Sequence, residues 1–177
     1  MFICKYMNIN NILLSYEKNT YGDLFYRDLM DNFEKDEFIS GFDVPPIPSN
    51  ARCASYKVSK RLELDISSVS GTCYVETDDN NIVTVARLSF GGVAAVAGAR
   101  AKLAESALIG KAWTEENVEI AAQKIAEDFT PISDFRASAW YRQTVACNIL
   151  RGFYQETLTD HVPARMYRPT ATIQLEQ

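Results

Sequence analysis

The sequence has 177 residues, 47% of them hydrophobic, and a formal net charge of −5. This size and apolar content suit one globular domain, or one domain with an appended arm. The acidic balance argues against a nucleic-acid binder, and no apolar run approaches the roughly 20 residues that span a membrane. The first residues lack the basic-then-apolar order of a signal peptide, so a cytoplasmic location is expected.

The histidine and cysteine content limits the kinds of catalytic and metal-binding site that the chain can form. The single histidine, His161, leaves little material for Ser–His–Asp hydrolysis or a histidine-rich metal site. The four cysteines lie far apart and form no C-x-x-C pair, so an iron–sulfur or zinc site within this chain is not expected. They are interpreted as small core residues: Cys4, Cys53, Cys73 and Cys147. We predict no catalytic residue and no metal ligand here, and a standalone hydrolase is set aside.

The first 45 residues carry weak patterns. Asn8–Ser15 is compatible with a short helix, Tyr21–Phe33 has a loose helical spacing, and Phe38–Val44 resembles a short strand. Three prolines follow at 45, 46 and 48, and proline removes ladder donors and fixes the backbone, which predicts a domain boundary. The expected division is an N-terminal arm at 1–45, a compact domain at 46–158 and a C-terminal tail at 159–177.

The stretch Tyr56–Ile66 alternates between apolar and polar side chains. The apolar set, interrupted by Lys60, is Tyr56, Val58, Leu62, Leu64 and Ile66. The polar set is Lys57, Ser59, Arg61, Glu63 and Asp65. A period of two predicts a strand with one face on a core. The charged row is either a solvated face or a surface that meets a charged or polar ligand, and residue types alone favour solvent.

Two more strands are predicted as an antiparallel hairpin. Val69–Thr77 and Ile82–Phe90 alternate, and the residues between them, Asp78–Asn81, favour a turn. One face of the second strand is expected to carry Ile82, Thr84, Ala86, Leu88 and Phe90. The pair Gly91-Gly92 is interpreted as a turn, because it lacks the spacing of a nucleotide-binding loop.

Three helices are predicted after the strands. Ala99–Leu108 is alanine-rich, with Gly110 as its C-terminal cap. Thr114 is expected to cap a helix that runs to Phe129, and the longest helix is expected at Arg136–Thr157. Strands followed by helices predict an α+β fold: an antiparallel sheet of three to four strands followed by about three helices packed on one face.

Several helix residues have structural interpretations of their own. Ser133 or Asp134 is expected to cap the last helix. Arginines along that helix are interpreted as a solvated or salt-bridged face: Arg136, Arg142 and Arg151. Two buried stripes are expected, first Val118, Ala121, Ala122, Ile125 and Phe129, then Ala146, Ile149, Leu150, Phe153, Tyr154 and Leu158. Both tryptophans, Trp113 and Trp140, are interpreted as core or interface anchors.

Taken together, these stretches resemble the C-terminal domain of the flavin-binding part of xanthine dehydrogenases and the wider molybdenum hydroxylases. The similar stretches are Tyr56–Ile66, Leu88–Ala94, Leu108–Thr114, Glu127–Ala139 and Tyr141–Arg151. Five motifs in the right order make a strong joint signal across about residues 34–157, and the similarity is greatest to bacterial subunits.

The resemblance implies a cofactor and partners. Enzymes of the family hydroxylate a substrate at a molybdenum cofactor and pass electrons through [2Fe–2S] clusters to FAD, which reduces NAD. The resemblance places Lys57 at the flavin ring, and puts Arg61 and Leu64 in a loop beside it. Leu64 is apolar where relatives often have an acidic residue. The implied partners are an FAD-binding and iron–sulfur segment and a molybdenum-cofactor subunit, with a role in purine catabolism.

The sequence also departs from the family pattern. The family's larger FAD-binding half, with its glycine-rich pyrophosphate loop, is expected before residue 38 and is not found there. We therefore expect a partial FAD site completed by another segment or chain, no activity of this chain alone, and a homo-oligomer as one mode of association. Two alternatives remain: a non-catalytic interaction or assembly module that keeps the fold, or the same domain from an aldehyde, nicotinate or CO dehydrogenase relative.

Overall fold

The computed structural model describes the backbone of residues 4–8, 15–16, 19–20 and 38–43, and describes residues 47–60, 66–94 and 98–158 in full. Four strands of the first group form a sheet in the order β3-β2-β1-β4. They are β1 Cys4–Asn8, β2 Ser15–Tyr16, β3 Asn19–Thr20 and β4 Phe38–Asp43. β1 pairs parallel with β4 and antiparallel with β2, which pairs antiparallel with β3.

The predictions for this first region are confirmed only in part. β4 confirms the strand predicted to begin at Phe38. The helix predicted at Asn8–Ser15 is wrong at both of its ends, since each end lies in a strand. Asparagine competes with the backbone for hydrogen bonds and is a poor helix former, which the prediction underweighted. The pattern at 21–33, the prolines at 45 and 46, and the tail from 159, with His161, lie outside the described residues.

A second sheet and three helices form the rest of the described structure. The strands are antiparallel and lie in chain order: β5 Ala51–Val58, β6 Val69–Thr77, β7 Val83–Gly91 and β8 Ala99–Arg100. The helices are α1 Lys102–Leu108, α2 Glu115–Asp128 and α3 Ala139–Thr157. This order of strands and helices confirms the α+β prediction.

The helices pack on one face of the second sheet. α1 packs against β7, α3 packs against β6 and β5, and α2 packs against both other helices. The largest fully buried side chains come from both layers and include Leu88, Phe90, Leu108, Ile125, Leu150 and Phe153. The ring of Phe129 meets that of Phe90 edge-on at 5.8 Å between centroids, which joins the end of α2 to the sheet.

The strand predicted at Tyr56–Ile66 is shifted in the structure. β5 begins at Ala51 and ends at Val58, and the Ser68 N–H donates to the Val58 carbonyl at 2.8 Å as the chain returns to the sheet. Ile66 is 56% exposed and belongs to no strand. Alternation alone did not mark this strand end, because the alternating pattern of the sequence continues past Val58. Residues 61–65, which include Arg61 and Leu64, lie outside the described part of the chain.

The predicted hairpin is confirmed, with a shift at its turn. The Asp78 carboxylate accepts hydrogen bonds from the Asn80 and Ile82 N–H groups, and Asn81 is left-handed with φ 61°. The pairing of β6 and β7 is irregular between Glu76 and Thr77. This bulge changes which side chains face the core, so Val83 is buried where Thr84 was predicted to be.

The helix starts differ from the predictions, whereas the buried faces agree with them. Ala99 and Arg100 form β8, so α1 begins only at Lys102. Thr114 caps α2 as predicted, while α3 begins after Ser138, which caps it by accepting from the Tyr141 N–H. The predicted stripes are buried except at their last residue, Leu158, which is 58% exposed. Gly110 lies just past the end of α1 with φ 77°, as a C-terminal glycine should.

Candidate functional site

The face of the second sheet that points away from the helices is polar. We call it the polar face, after its residues Ser55, Lys57, Ser70, Thr72, Tyr74, Glu76, Arg87, Ser89 and Gly91. Ala51, Cys53 and Val85 share this face toward the turn between β6 and β7. Strand alternation produces it, because the neighbours Ala54, Tyr56 and Val58 of β5 turn toward the helices and pack on the core. The same alternation in β6 and β7 places hydroxyl groups, rather than apolar side chains, beside Lys57.

Lys57 lies in a row that crosses three strands. It pairs with Ser70 of β6, which pairs in turn with Gly91 of β7. We call these three residues the Lys57 row. The next row along the sheet holds Ser55, Thr72 and Ser89, and the hydroxyls of Ser55 and Thr72 are 3.0 Å apart. Lys57 is exposed, and Ser70 and Thr72 of the neighbouring strand lie next to it on the same face.

Gly91 keeps this surface flat. A Cβ atom at Gly91 would come within 2.6 Å of the Ser70 hydroxyl oxygen, closer than real Cβ contacts. A larger residue here would therefore move the Ser70 hydroxyl from its present position. The surface that results can accept a planar polar group lying against it, with the Lys57 ammonium at one side.

Further charges lie toward the middle of the polar face and its β8 edge. Arg100 of β8 is bound by Glu105 of α1, through Nε at 2.9 Å and Nη2 at 2.5 Å. Glu105 is buried and also accepts from the Leu88 N–H at 2.8 Å. Leu88 lies next to Ser89, where the pairing of β7 with the short strand β8 ends. Burial, followed by the nearby Arg100 guanidinium, lowers the pKa of Arg87. Burial, together with a hydrogen bond to Glu76, raises the pKa of Tyr74 to about 12.

A buried arginine lies at the end of the sheet nearest the Lys57 row. Arg142 of α3 is 4% exposed, and its Nη1 donates to the carbonyls of Ser68 and Gly92. Its Nη2 donates to both carboxylate oxygens of Asp134 at 2.7 and 2.8 Å. The ion pair with Asp134 confirms the salt-bridged form of the prediction for Arg142, whereas its burial and its contacts with two backbone carbonyls were not predicted.

Of the two other arginines of that predicted row, Arg151 behaves as expected, whereas Arg136 precedes α3 and is half-buried. Arg151 forms a two-pronged ion pair with Glu119 of α2, with both bonds at 2.7 Å. The guanidinium of Arg136 lies 4.8 Å from the ring centre of the neighbouring Phe135. The cap prediction is partly confirmed, because the Ser133 hydroxyl accepts from the Ala139 N–H at the start of α3. Asp134 instead accepts from the Ala137 and Arg136 N–H groups in the preceding loop.

A cavity of about 460 Å³ lies between β5 and α3, beside Lys57. Its lining consists of Ser55, Tyr56, Lys57, Val58, Val145, Asn148, Ile149 and Gly152. The Tyr56 hydroxyl donates to Glu156 at 2.9 Å, which ties β5 to α3. Most of the lining atoms are apolar, so this cavity offers contact area more than polar recognition, and Lys57 is the charged group it shares with the polar face.

The cysteines of the described part are buried or half-buried. Cys73 and Cys147 are core residues, as predicted, and Cys53 is half-buried on β5. Burial raises the pKa of all three thiols. Raised values keep the thiols protonated and poor as nucleophiles, which is consistent with a packing role.

The structure brings together only part of the predicted site. Lys57 lies on the polar face as expected, whereas Arg61 and Leu64 fall in residues 61–65, outside the described part. The polar residues of β6 and β7 were not predicted as site residues. The signal for them was present, because polar residues occupy alternate positions, at Ser70 and Thr72 in β6 and at Arg87 and Ser89 in β7. Among the described residues, no helix is long and apolar enough to cross a membrane.

Comparison with known proteins identifies related sequences. The family model of the CO dehydrogenase flavoprotein C-terminal domain matches residues 54–157, more than half of the chain. XdhB of Escherichia coli strain K12 and the xanthine dehydrogenase FAD-binding subunit of Escherichia coli O157:H7 are each 30% identical over 112 residues. The match covers 63% of this chain and 38% of each relative.

Solved structures show the same fold. The carbon monoxide dehydrogenase of Hydrogenophaga pseudoflava, in a form lacking the Mo-pyranopterin moiety of its molybdenum cofactor, superposes with a TM-score of 0.55 and 27% identity. The superposition covers 61% of this chain and 37% of that chain. Quinoline 2-oxidoreductase from Pseudomonas putida 86 gives a TM-score of 0.53 at 23% identity, over 63% of this chain and 38% of that one. The chain thus spans less than two fifths of the proteins it matches.

Proposed function

The chain belongs to the CO dehydrogenase flavoprotein C-terminal domain family, and from this premise we propose that it covers one side of an FAD in a molybdenum hydroxylase. The observation that carries the proposal is the position of Lys57, exposed beside the small hydroxyl side chains of the polar face. The matched relatives span more than twice the aligned length, so the proposed flavin site takes residues beyond those of this domain.

The residues of the polar face fit a flavin ring. A flavin is planar, and its pyrimidine edge carries carbonyl oxygens that accept hydrogen bonds. The Lys57 row offers an ammonium donor, the Ser70 hydroxyl and a glycine without a side chain, within one crossing of the sheet. FAD, when bound, would supply electron transfer from iron–sulfur clusters of a partner to NAD.

Lys57 would act by its charge. An ammonium group held near a site where negative charge develops stabilises that charge, and it does so more strongly where water is excluded. Lys57 also lines the mostly apolar cavity between β5 and α3, and a lysine stem can lie on apolar surface while its charged end stays in a polar site. Arg61 and Leu64 belong to the same proposal as neighbours of the ring.

The wider activity is proposed on the same basis. We infer a xanthine-dehydrogenase-like enzyme with NAD as acceptor, iron–sulfur and molybdenum-cofactor partner subunits, and no catalysis by this chain alone. The names of the matched Escherichia coli and Hydrogenophaga proteins support that setting. Aldehyde, nicotinate and CO dehydrogenase relatives share the setting and differ at the molybdenum site, which this chain does not contribute to.

The test is a flavin-binding titration. The purified chain is titrated with FAD alone, and again with the Escherichia coli O157:H7 subunit shortened by its aligned segment. We expect weak binding by the chain alone and tight binding by the mixture. Tight retention by this chain alone would contradict a shared site, and binding by neither sample would contradict the flavin function.

Lys57→Ala is the matching variant, with Lys102→Ala as control because Lys102 is an exposed lysine on α1. Loss of one charge-assisted contact corresponds to roughly tenfold weaker FAD binding in the mixture. The reduction potential of the bound flavin should also fall, since the reduced ring loses a cation. Equal behaviour of the two lysine variants would remove Lys57 from the site.

A second candidate function rests on exposed apolar side chains. Ile132, Phe135 and Trp140 are 75%, 84% and 72% exposed, in or just after the loop that precedes α3. Apolar side chains grouped in this way are typical of a contact surface. A non-catalytic assembly module would keep this surface and lose nothing in Lys57→Ala, which separates it from the flavin function.

A further inference from the structure

The Arg142 guanidinium joins three separate segments of the chain. It binds the Ser68 carbonyl just before β6, the Gly92 carbonyl just after β7, and the Asp134 carboxylate in the loop before α3. These segments are distant in sequence, since Ser68 and Arg142 are 74 residues apart. One side chain of α3 therefore sets where two strands of the sheet end relative to that helix.

The two carbonyls lie next to the Lys57 row. Ser68 is two residues before Ser70, and Gly92 directly follows Gly91. The third strand is connected as well, because the Ser68 N–H donates at 2.8 Å to the carbonyl of Val58, the neighbour of Lys57. All three members of the row are thus one or two residues away from a backbone group in the Arg142 network.

We propose that Arg142 and Asp134 form a positioning pair that holds the Lys57 row in place for the cofactor. This rests on the proposed flavin function and deepens it. Arg142 does not touch the cofactor; it acts on Lys57 through the strand ends. Both oxygens of the carboxylate hold Nη2, while Nη1 donates to the two carbonyls.

Two features distinguish this pair from ordinary packing. A buried arginine is expensive to desolvate, and an apolar side chain of similar size commonly serves stability as well or better. Among the described residues, Arg142 Nε is the only buried side-chain nitrogen or oxygen without a hydrogen-bond partner, so the contacts do not even satisfy the group fully. A geometric role at the end of the sheet explains why an arginine occupies this position.

Gly92 shows how closely the segments approach there. Its φ is +79°, and a Cβ on it would lie 2.4 Å from the Ser68 carbonyl oxygen and 3.0 Å from Arg142 Nη1. The backbone of the β7 end is thus pressed against the backbone that precedes β6, with the guanidinium beside both. Such a contact transmits a shift of the guanidinium to both strands.

The chain contains a matched control for this pair. Arg151 lies on the same helix, and its guanidinium binds Glu119 through Nε and Nη2 at 2.7 Å each, whereas Arg142 binds Asp134 through Nη2 alone. The Arg151–Glu119 pair joins α2 to α3, and its side chains are 39% and 43% exposed. It is an arginine–carboxylate pair without a contact to the sheet, so Glu119→Gln measures what loss of such a pair does by itself.

The experiment compares Asp134→Asn, Arg142→Lys and Glu119→Gln in the full chain. Three quantities are measured: the rate at which Lys57 is modified by an amine reagent, the urea midpoint, and FAD affinity in the mixture described above. We expect Asp134→Asn and Arg142→Lys to change the Lys57 rate at least about threefold and to weaken FAD binding roughly tenfold. Glu119→Gln should change neither, and it should lower the urea midpoint less than Asp134→Asn does because its ion pair is partly exposed. Asp134→Glu, which restores the carboxylate, should recover most of the FAD affinity.

The outcomes separate this inference from the flavin function. If the unaltered mixture binds no FAD, the flavin function fails, and the Lys57 modification rate still reports on the positioning pair. If Asp134→Asn and Glu119→Gln change the Lys57 rate equally, or neither changes it, the positioning role is overturned. If Arg142→Lys does not fold, Asp134→Asn alone decides, because it keeps the side-chain size and the buried arginine.

Discussion

The two faces of the second sheet are built from alternate residues of the same strands and have different roles. The face toward the helices carries Val69, Cys73, Val75, Leu88 and Phe90, each at most 2% exposed. The polar face carries small hydroxyls and Lys57, which remain exposed or half-buried. Packing decides the first face, whereas the second is free to vary with what it contacts. Alternate residues of each strand therefore serve stability and recognition. Changes on the helix-facing side should lower the free energy of unfolding, and changes on the polar face should alter binding.

The largest effect is expected on the helix side of this comparison. Leu150→Ala removes a side chain of α3 that is 0% exposed, and such a truncation costs about 2–5 kcal/mol in the free energy of unfolding. Urea unfolding of the full chain measures this. Leu103→Ala, on the exposed side of α1, is the control and should stay within about 0.5 kcal/mol. Equal losses in the two variants would show that the helix face is not the source of stability.

Gly92→Ala tests the close approach of the backbone after β7 to the backbone before β6. The change combines a left-handed φ of +79° with a clash against the Ser68 carbonyl. Gly110→Ala is the matched control, since Gly110 has φ +77° and nothing within 4 Å of an added Cβ. Backbone strain alone costs about 1–2 kcal/mol, so we expect that loss for Gly110→Ala and a clearly larger one for Gly92→Ala. A smaller loss for Gly92→Ala would contradict the tight approach, and the urea midpoints of both variants decide it.

Acid should weaken the ion pairs of α3 at both of its ends. Hydrogen bonds from the Ala137 N–H and Arg142 lower the pKa of Asp134 to about 2, and Arg151 and then Gln123 lower that of Glu119 to about 2. An acid whose folded pKa is depressed adds stability above its unfolded value, near 4, and that stability is lost as the pH falls toward 2. Unfolding measured in steps from pH 5 to pH 2 should therefore show a decline. The decline should be shallower in Glu119→Gln, and salt should reduce the difference because that pair is partly exposed.

The smallest effect on stability is expected on the polar face. Ser55→Ala removes a hydroxyl that pairs with the Thr72 hydroxyl at 3.0 Å on an exposed position of β5. The free energy of unfolding should change by about 0.5 kcal/mol or less. FAD affinity in the mixture should still change measurably, because the hydroxyl belongs to the row next to Lys57. A loss of stability as large as that of Leu150→Ala would erase the distinction between the two faces.

The order of strands and helices and the buried stripes could be predicted because they depend on local periodicity. Val118, Ala121, Ala122 and Ile125 were predicted from helical spacing alone, and all are buried. The turn at Asp78–Asn81 was predicted from residues whose side chains bind their own backbone. In each case the deciding interactions lie within a few residues of one another.

What could not be predicted depends on contacts between distant segments. β5 ends at Val58, whose carbonyl accepts a hydrogen bond from the Ser68 N–H. The alternation of the sequence does not indicate this contact. The helical spacing of Arg142 suggests a surface residue of α3. Its burial becomes evident only from its contact with the chain at the end of the sheet. The bulge near Val83 buries Val83 in place of Thr84 at the start of β7, although Ala86, Leu88 and Phe90 are buried as the alternation predicted.

The two tryptophans give the molecule a pair of optical reporters. Trp113 is 7% exposed, meets the rings of Phe153 and Tyr154 edge-on at 5.9 and 5.4 Å, and donates through Nε1 to Thr157. Trp140 is 72% exposed at the start of α3. Indole emission shifts to longer wavelength in water, so Trp113 reports unfolding and Trp140 reports the arrival of a partner at this end of the helix. With Trp140→Phe as reference, a single fluorescence titration distinguishes assembly from folding without any added label.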